Sequence, residues 1–419
     1  MMLCDKDNCT GCMACYNVCN RGAIKLKKDK EGFLYPDIDG TKCVNCHMCQ
    51  KVCPHVVPSN LSSVYEKKVF SVWQKSKKIL RNSTSGGAFS ALASTILNRQ
   101  GGVVYGAGFD SNLKVIHKRI TDMSALSEIR GSKYVQSEIG NTLKQVKTDI
   151  NEGRLVLFTG TPCQIDALYR YLGDRYEDEL YTVDLVCHGV PSPLVYDEYL
   201  KYISERYNST IDKIYFRNKK PGWYVFGMKI LFSNNKTYEN DTYHDPYIRG
   251  FLREYFLRPS CHSCSYTNLN RPADITLADD WGYKETCFKD RDNDQGISMV
   301  MINSKNGENL FELSRDNLKV FPRTVKEAVN GNQALNKCFP PNEHRDEFWN
   351  DFFNNSFEFV VEKYLYEEEI PSWTVERQKN IRAFRKAYFL DKAVHLPNYL
   401  LIKLLGANKY NYLKHIFKK

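Results

Sequence analysis

Cys9-Thr-Gly-Cys12-Met-Ala-Cys15-Tyr-Asn-Val-Cys19 and Cys43-Val-Asn-Cys46-His-Met-Cys49-Gln-Lys-Val-Cys53-Pro54 are one pattern, C-x2-C-x2-C-x3-C, repeated 34 residues apart. Three thiolates at this spacing wrap one face of an iron–sulfur cluster, and where the pattern is doubled the fourth cysteine crosses to the other cluster. The reading assigns Cys9, Cys12, Cys15 and Cys53 to one [4Fe-4S] cluster. It assigns Cys43, Cys46, Cys49 and Cys19 to a second. Structural zinc uses C-x2-C pairs with longer spacers, which fits a doubled four-cysteine run poorly.

Between the blocks, Ala23–Lys28 and Phe33–Ile38 read as short strands around the turn Lys30-Glu31-Gly32. The whole resembles a bacterial-type 2[4Fe-4S] ferredoxin domain over residues 1–57. Asn20 stands where that motif usually has proline, without loss of a ligand. The other seven of the 15 cysteines are Cys4, Cys163, Cys187, Cys261, Cys264, Cys287 and Cys338. A disulfide-stapled secreted scaffold would be short and evenly supplied with cysteine, and the N-terminus shows no basic region followed by an apolar run. A cytoplasmic protein with ligand or catalytic cysteines is expected.

At 419 residues the chain is long enough for two or three domains. No apolar run approaches the ~18 residues of a membrane span. The net charge of +10 is uneven: Ser372–Lys419 has eleven Lys and Arg against two acids, leaving the preceding part near neutral. That balance argues against nucleic acid as a partner. Leu396–Gly406, apolar apart from Asn398 and Lys403 and followed by lysines and aromatics, reads either as a packed terminal helix or as an interfacial one touching anionic lipid on the inner face of the membrane.

Pro54–Lys68 reads as a linker. Beyond it come strands at Val69–Trp73, Gly102–Phe109, Leu113–Arg119, Leu155–Thr159, Tyr181–Cys187, Ile211–Phe216, Val225–Phe232 and Ile275–Ala278. Helices are expected at Ala88–Asn98, after Gly160-Thr161-Pro162-Cys163 through Leu172, and from Pro193 to about Tyr207. Strand–loop–helix twice in succession suggests parallel α/β units, whose ligands lie at the carboxyl ends of strands. Cys163, Cys187 and Asp279-Asp280 fall at such ends. The two aspartates read as a solvated turn or as polar contacts. Cys261-His-Ser-Cys264 taken alone is half a zinc site, a redox pair or two buried thiols, and Cys163 and Cys187 are either core residues or further ligands. Ser83-Thr84-Ser85-Gly86-Gly87 precedes a helix, and is either a plain helix start or a site for a phosphate or flavin carbonyl. Gly131-Ser132-Lys133-Tyr134 on its own is a surface turn. Cys4, Cys287 and Cys338 have no motif context.

The strings SGGAFSAL (85–92), RGSKYVQS (130–137), TGTPCQIDAL (159–168), DLVCHGVPSP (184–193), CHSC (261–264), PADITLADDWG (272–282) and GISMVMIN (296–303) occur in this order. Together with the ferredoxin module they resemble the family of coenzyme F-420 hydrogenase/dehydrogenase beta subunits over about residues 5–340. The resemblance implies an α+β chain, with the ferredoxin-like domain at 1–57 and an α/β flavin-binding domain with a mixed sheet at 66–340; outside it, residues 341–419 read as a helical, basic C-terminal extension. It implies a third [4Fe-4S] cluster on Cys163, Cys187, Cys261 and Cys264. It also implies FAD held by Ser83, Thr84, Ser85, Gly86, Gly87, Gly131, Ser132, Lys133 and Tyr134, with Lys133 facing its negative charge. No GxGxxG fingerprint is present for a Rossmann-type FAD mode. His188 reads as a proton donor at the substrate face or as a turn residue.

The leading expectation is an iron–sulfur flavoprotein oxidoreductase. It passes electrons between a redox protein partner or ferredoxin-type donor, its clusters, FAD and an unidentified small-molecule acceptor or substrate, and the family places polysaccharide-related chemistry among the contexts. The alternatives are a non-catalytic electron-transfer subunit of a larger redox complex and a scaffold whose clusters are structural. Whether the chain forms a homo-oligomer is left open.

Overall fold

The computed structural model describes residues 3–57, 65–173, 176, 178–220, 222–282 and 294–366. Residues Met1–Tyr283 with Gln295–Glu367 cluster as one compact unit. The basic tail, Leu396–Gly406 within it, and Cys287 lie outside the described residues. None of the described helices is long and apolar enough to cross a membrane.

In the N-terminal module β1 (Ile24–Lys28) and β2 (Leu34–Ile38) pair antiparallel, with Lys28 opposite Leu34 across the turn. Short helices Ala14–Val18 and Met48–Lys51 follow the cysteine loops. The body is built on a mixed eight-stranded sheet of β3 (Lys68–Gln74), β4 (Val103–Phe109), β5 (Val115–Ile120), β6 (Val156–Gly160), β7 (Leu180–Leu185), β11 (Ile275–Asp279), β12 (Ser298–Ile302) and β13 (Leu318–Arg323). Its order is β13-β3-β12-β11-β7-β6-β4-β5. The central run β11, β7, β6 and β4 is parallel, and the flanking pairs are antiparallel. The expected strands Ile211–Phe216 and Val225–Phe232 stand outside this sheet. They form a separate antiparallel sheet of β8 (Ile211–Asn218), β9 (Gly227–Phe232) and β10 (Thr237–Asp241).

Parallel central strands are covered on both faces, so they are mainly apolar, with Thr182, Asp184 and Thr276 buried among the apolar side chains. Adjacent residues point to opposite sides. Val104, Leu157, Val183 and Ile275 join a core under helices Ala88–Leu97 and Lys305–Ser314. Val103, Tyr105, Val156 and Phe158 join the other, under helices Thr142–Asn151 and Pro162–Leu172. Met13, Ala14 and Val52 of the N-terminal module belong to that second core. The module is therefore packed onto the body. A third core links helix Pro193–Tyr207 and the small sheet to Phe348, Trp349, Val360 and Leu365. The body's apolar core thus runs past residue 340, where the sequence places a boundary.

Candidate functional site

The backbone of the two cysteine loops repeats as their sequence does. Gly11 and Met13 have φ of 69° and 59°, and Asn45 and His47, at the matching positions, 52° and 59°. A left-handed residue on each side of the second cysteine forms the kind of peptide concavity that binds anions and Fe–S centres. Cys9, Cys12, Cys15 and Cys53 line one cavity, its wall completed by Leu26, Leu34, Pro36 and Cys4. Cys9, Cys15 and Cys53 are buried. Cys4 is a fifth thiol that the spacing did not single out. It bonds to both Cys9 and Cys53, and these contacts hold the pKa of each down at about 6. Cys19, Cys46 and Cys49 are electrostatic neighbours at the module's surface, and Cys46 is exposed. Ala23 donates its N–H to Cys19 Sγ at 3.4 Å. Cys43 Sγ lies 3.6 Å from Asn45 Oδ1. Anionic clusters suit both sets: four thiols each, peptide concavities, and N–H donation to sulfur.

The four distant cysteines converge. Cys163 begins helix Pro162–Leu172, whose capping box runs between Thr161 and Gln164. Cys187 follows β7, and Cys261 and Cys264 come from the excursion between the small sheet and β11. All four line one cavity with Thr10, Gln136 and Arg271. Burial pushes the Cys163 thiol up to about 11 and Cys261 to about 12. Cys187 also rises, through burial and then the other three sulfurs. Desolvated thiols of this kind favour the thiolate only when a cation or metal compensates it. Val190 N–H and the Thr161 hydroxyl already reach Cys261 Sγ (3.4 Å) and Cys163 Sγ (3.1 Å). Cys338 sits at the edge of the group, its Sγ 3.0 Å from the His262 carbonyl oxygen.

Two contacts join this group to its neighbours. Thr10 lines both the cavity of Cys9, Cys12, Cys15 and Cys53 and that of Cys163 and its neighbours. On the far side, Thr161, Gln164, Cys187, His188, Gly189 and Val190 also line a second cavity of about 430 Å³. That volume is in the range of small-molecule sites.

Into this larger cavity the structure brings Ser83, Thr84, Ser85, Gly87, Gly131, Ser132, Lys133, Tyr134 and His188. Gly86 is not among its lining. A Cβ there would lie 2.2 Å from the Val72 carbonyl oxygen and 2.5 Å from the Ser298 nitrogen, so this glycine lets the loop pass flush against β3 and β12. The Ser83 and Ser85 hydroxyls are spent on the carbonyls of Ile79 (2.8 Å) and Ile297 (2.7 Å). Lys133 donates to the Arg130 carbonyl at 3.0 Å, and burial, with Lys118 adding to it, pulls its pKa down to about 7. His188 packs against Phe251 and Phe339. Its Nε2 stands 2.9 Å from Glu254 Oε1 but out of line for a hydrogen bond.

Several wall residues escaped the sequence reading. Arg217 pairs with Asp279, which also accepts from Trp223 Nε1 at 2.7 Å. The guanidinium lies over Phe226 (4.1 Å), and Trp223 stacks on Trp281 at 4.9 Å. Asp279 and Asp280 are therefore not a solvated turn: the first closes the cavity wall, and the second is buried and bonded to Ser71. Arg130, which precedes the Gly131 tetrapeptide, donates to Ser90 Oγ at 2.9 Å. His117 Nε2 faces the Thr159 carbonyl at 3.1 Å, so that nitrogen carries the proton and Nδ1 accepts from Ser137 Oγ at 2.7 Å. Burial pulls the His117 pKa down to about 4.

Residues 153–325 match the family described as the C terminus of the beta subunit of coenzyme F420 hydrogenase/dehydrogenase, and residues 8–57 match the 4Fe-4S dicluster domain. The F subunit of F(420)H(2) dehydrogenase from Methanosarcina mazei is 22% identical over 327 residues, covering 75% of this chain and 84% of that protein. An uncharacterized ferredoxin of Methanocaldococcus jannaschii is 40% identical over 50 residues, 12% of this chain and 64% of the ferredoxin. A chain of the F420-reducing [NiFe] hydrogenase complex from Methanosarcina barkeri, solved with xenon derivatization, superposes with a TM-score of 0.44 at 18% identity, over 68% of this chain and 99% of that one. The chain thus joins a 4Fe-4S dicluster domain at residues 8–57 to a segment, residues 153–325, of the family of coenzyme F420 hydrogenase/dehydrogenase beta subunits.

Proposed function

We propose that this chain is an iron–sulfur flavoprotein that moves electrons between a redox partner protein and a small acceptor or substrate. The observation that carries the reading is contiguity: Thr10 lines both the cavity of Cys12 and that of Cys163, and the Cys187–Val190 stretch lines both the third thiol group and the larger cavity. The exposed Cys46 set is the entry or exit for a partner. The buried Cys9 set follows, then a third cluster on Cys163, Cys187, Cys261 and Cys264. FAD in the larger cavity supplies the exchange between one-electron and two-electron chemistry. Lys133, Arg130 and Arg217 provide positive charge for its phosphates and its reduced ring. Tyr134, Phe226 and Trp281 offer aromatic faces, and the turn at 83–87 presents backbone N–H groups. His188, beside Glu254 at the cavity wall, is the candidate proton donor to a bound substrate.

Anaerobic protein quantified together for iron, sulfide and flavin tests this reading. About twelve irons and one FAD per chain are expected, four irons for each cluster. About eight irons without flavin would overturn the third cluster and the flavin together. A second reading, a relay subunit with no substrate of its own, draws on the matched relative being one subunit of a dehydrogenase. Purified chain that reduces a small acceptor unaided excludes it.

A further inference from the structure

We propose that Arg258 is the counter-ion of the Cys9, Cys12, Cys15 and Cys53 cluster and sets its reduction potential above that of the exposed cluster. The inference rests on reading those four thiols as cluster ligands. Arg258 has no exposed surface at all. Its Nε donates to the Cys9 carbonyl at 2.6 Å, Nη1 to Gln136 Oε1 at 2.8 Å and Nη2 to the Leu34 carbonyl at 3.0 Å. Nη2 also lies 3.6 Å from Cys9 Sγ, within reach of a hydrogen bond to sulfur. Tyr35 and Phe33 flank the guanidinium at 4.2 and 5.2 Å.

Among the described residues no carboxylate pairs with it. Glu31, on that turn, is engaged by Arg345. A fully buried guanidinium without a counter-charge is costly, so such a group is found paired. Here the anion within reach is the thiolate-ligated centre itself. The fit is close: a Cβ on Gly11 would lie 2.8 Å from Nη1. A cation and an N–H donated to a ligand sulfur both favour the reduced, more negative cluster, and so raise its potential. The second set is open to water at Cys46, which screens its charge by solvent instead. The Arg258 carbonyl also accepts from Cys261 N–H at 2.8 Å, so the same residue fixes the first ligand of the Cys261–Cys264 pair.

The test is an EPR-monitored redox titration of the full chain, purified anaerobically, as wild type, Arg258→Lys and Arg258→Gln, with iron and sulfide counted in each. The reading is a one-electron reduction with no bond made or broken. Arg258→Gln is expected to lower the midpoint of one cluster and leave that of the exposed cluster in place. Arg258→Lys keeps the charge but cannot span Cys9 and Leu34 at once, and is expected to fall between. Full iron content with unmoved midpoints in both variants overturns the proposal. Loss of that cluster's iron from both variants overturns it too, in favour of a scaffold role. Wild type lacking two reducible [4Fe-4S] signals would instead defeat the ligand reading on which the proposal rests.

Discussion

Cys12 and Cys163 lie 151 residues apart, and Thr10 stands between them, lining the cavity of each. Thr10 also offers its carbonyl to Gln136 Nε2 at 3.0 Å, so the loop carrying the first cysteine is held on the body by the residue that bridges the two thiol groups. One residue lining both cavities is a short path between two such centres.

Replacing Thr10 by valine keeps the shape and removes the hydroxyl. Iron content is expected to stay at the wild-type value. A hydrogen bond to a charged group contributes about 1.5 kcal/mol, so transfer between the two groups is expected to slow ~10-fold if that is expressed in the barrier. Rapid-mixing reduction of the module, followed by the rate of electron arrival at the flavin, measures it. An unchanged rate removes Thr10 from the path.

Two thiols touch the ligand groups without belonging to them. Cys4 contacts Cys9 and Cys53, and its own pKa is raised, chiefly by those two bonds, so it keeps the proton while they give theirs up. Cys338 contacts the His262 carbonyl. Cys4→Ser and Cys338→Ser are expected to retain full iron, because a donor rather than a ligand is removed. Cys187→Ser is expected to lose about four irons per chain. Iron counts on the three variants decide, and loss from Cys338→Ser would reassign the fourth ligand.

The motifs that a local reading can see are those set by chain neighbours. The doubled C-x2-C-x2-C-x3-C, the hairpin around Glu31 and the strand ends at Cys163 and Cys187 were legible because spacing and alternation encode them. The third thiol group was one alternative at the strand ends, favoured only once the family resemblance was added, since no spacing links Cys187 to Cys261. Arg258 left no trace: Leu257-Arg258-Pro259 looks like any surface turn until the module is seated on it. For Asp279 and Asp280 the sequence could not choose between a solvated turn and polar contacts, for the same reason. Their partners Arg217 and Ser71 are 62 and 209 residues away, and long-range pairing decides whether a carboxylate is solvated. The third core hid likewise, because the aromatics of Arg345–Asn354 show their role only against helix Pro193–Tyr207 and the small sheet.

Gly86 provides a test of the loop before helix Ala88–Leu97. Its carbonyl accepts from Gln74 N–H at 2.8 Å, and its α-carbon abuts the backbone of β3 and β12. A methyl group there meets backbone atoms that cannot rotate away, so Gly86→Ala is expected to destabilise by about 1–3 kcal/mol. Thermal denaturation should show a lowered midpoint. Gly131→Ala makes the contrast: the nearest atom to its Cβ is Thr84 Cγ2 at 3.5 Å, so its cost comes from the backbone φ of +88° and not from collision. A Gly86→Ala melting point equal to wild type would show that β3 and β12 can part at this loop.

Lys133 gives the cavity a pH signature. Without an anion beside it, burial holds its pKa at about 7, against an ordinary value near 10.5. A bound phosphate or reduced flavin restores the charged form and raises the pKa. Between those two values the complex therefore holds more protons than the free protein, so binding takes up a proton. Affinity is greatest below about pH 7 and declines as pH rises through the window, by up to tenfold per unit. Calorimetry of FAD binding to deflavinated protein at pH 8, in two buffers of different ionisation enthalpy, is expected to report uptake of nearly one proton. Lys133→Met is expected to abolish the uptake and flatten the pH dependence while leaving the clusters intact. Equal uptake by both proteins would place the responding group elsewhere. The neutral His117, whose Nδ1 faces Ser137 across the same cavity, would then be the residue to replace next.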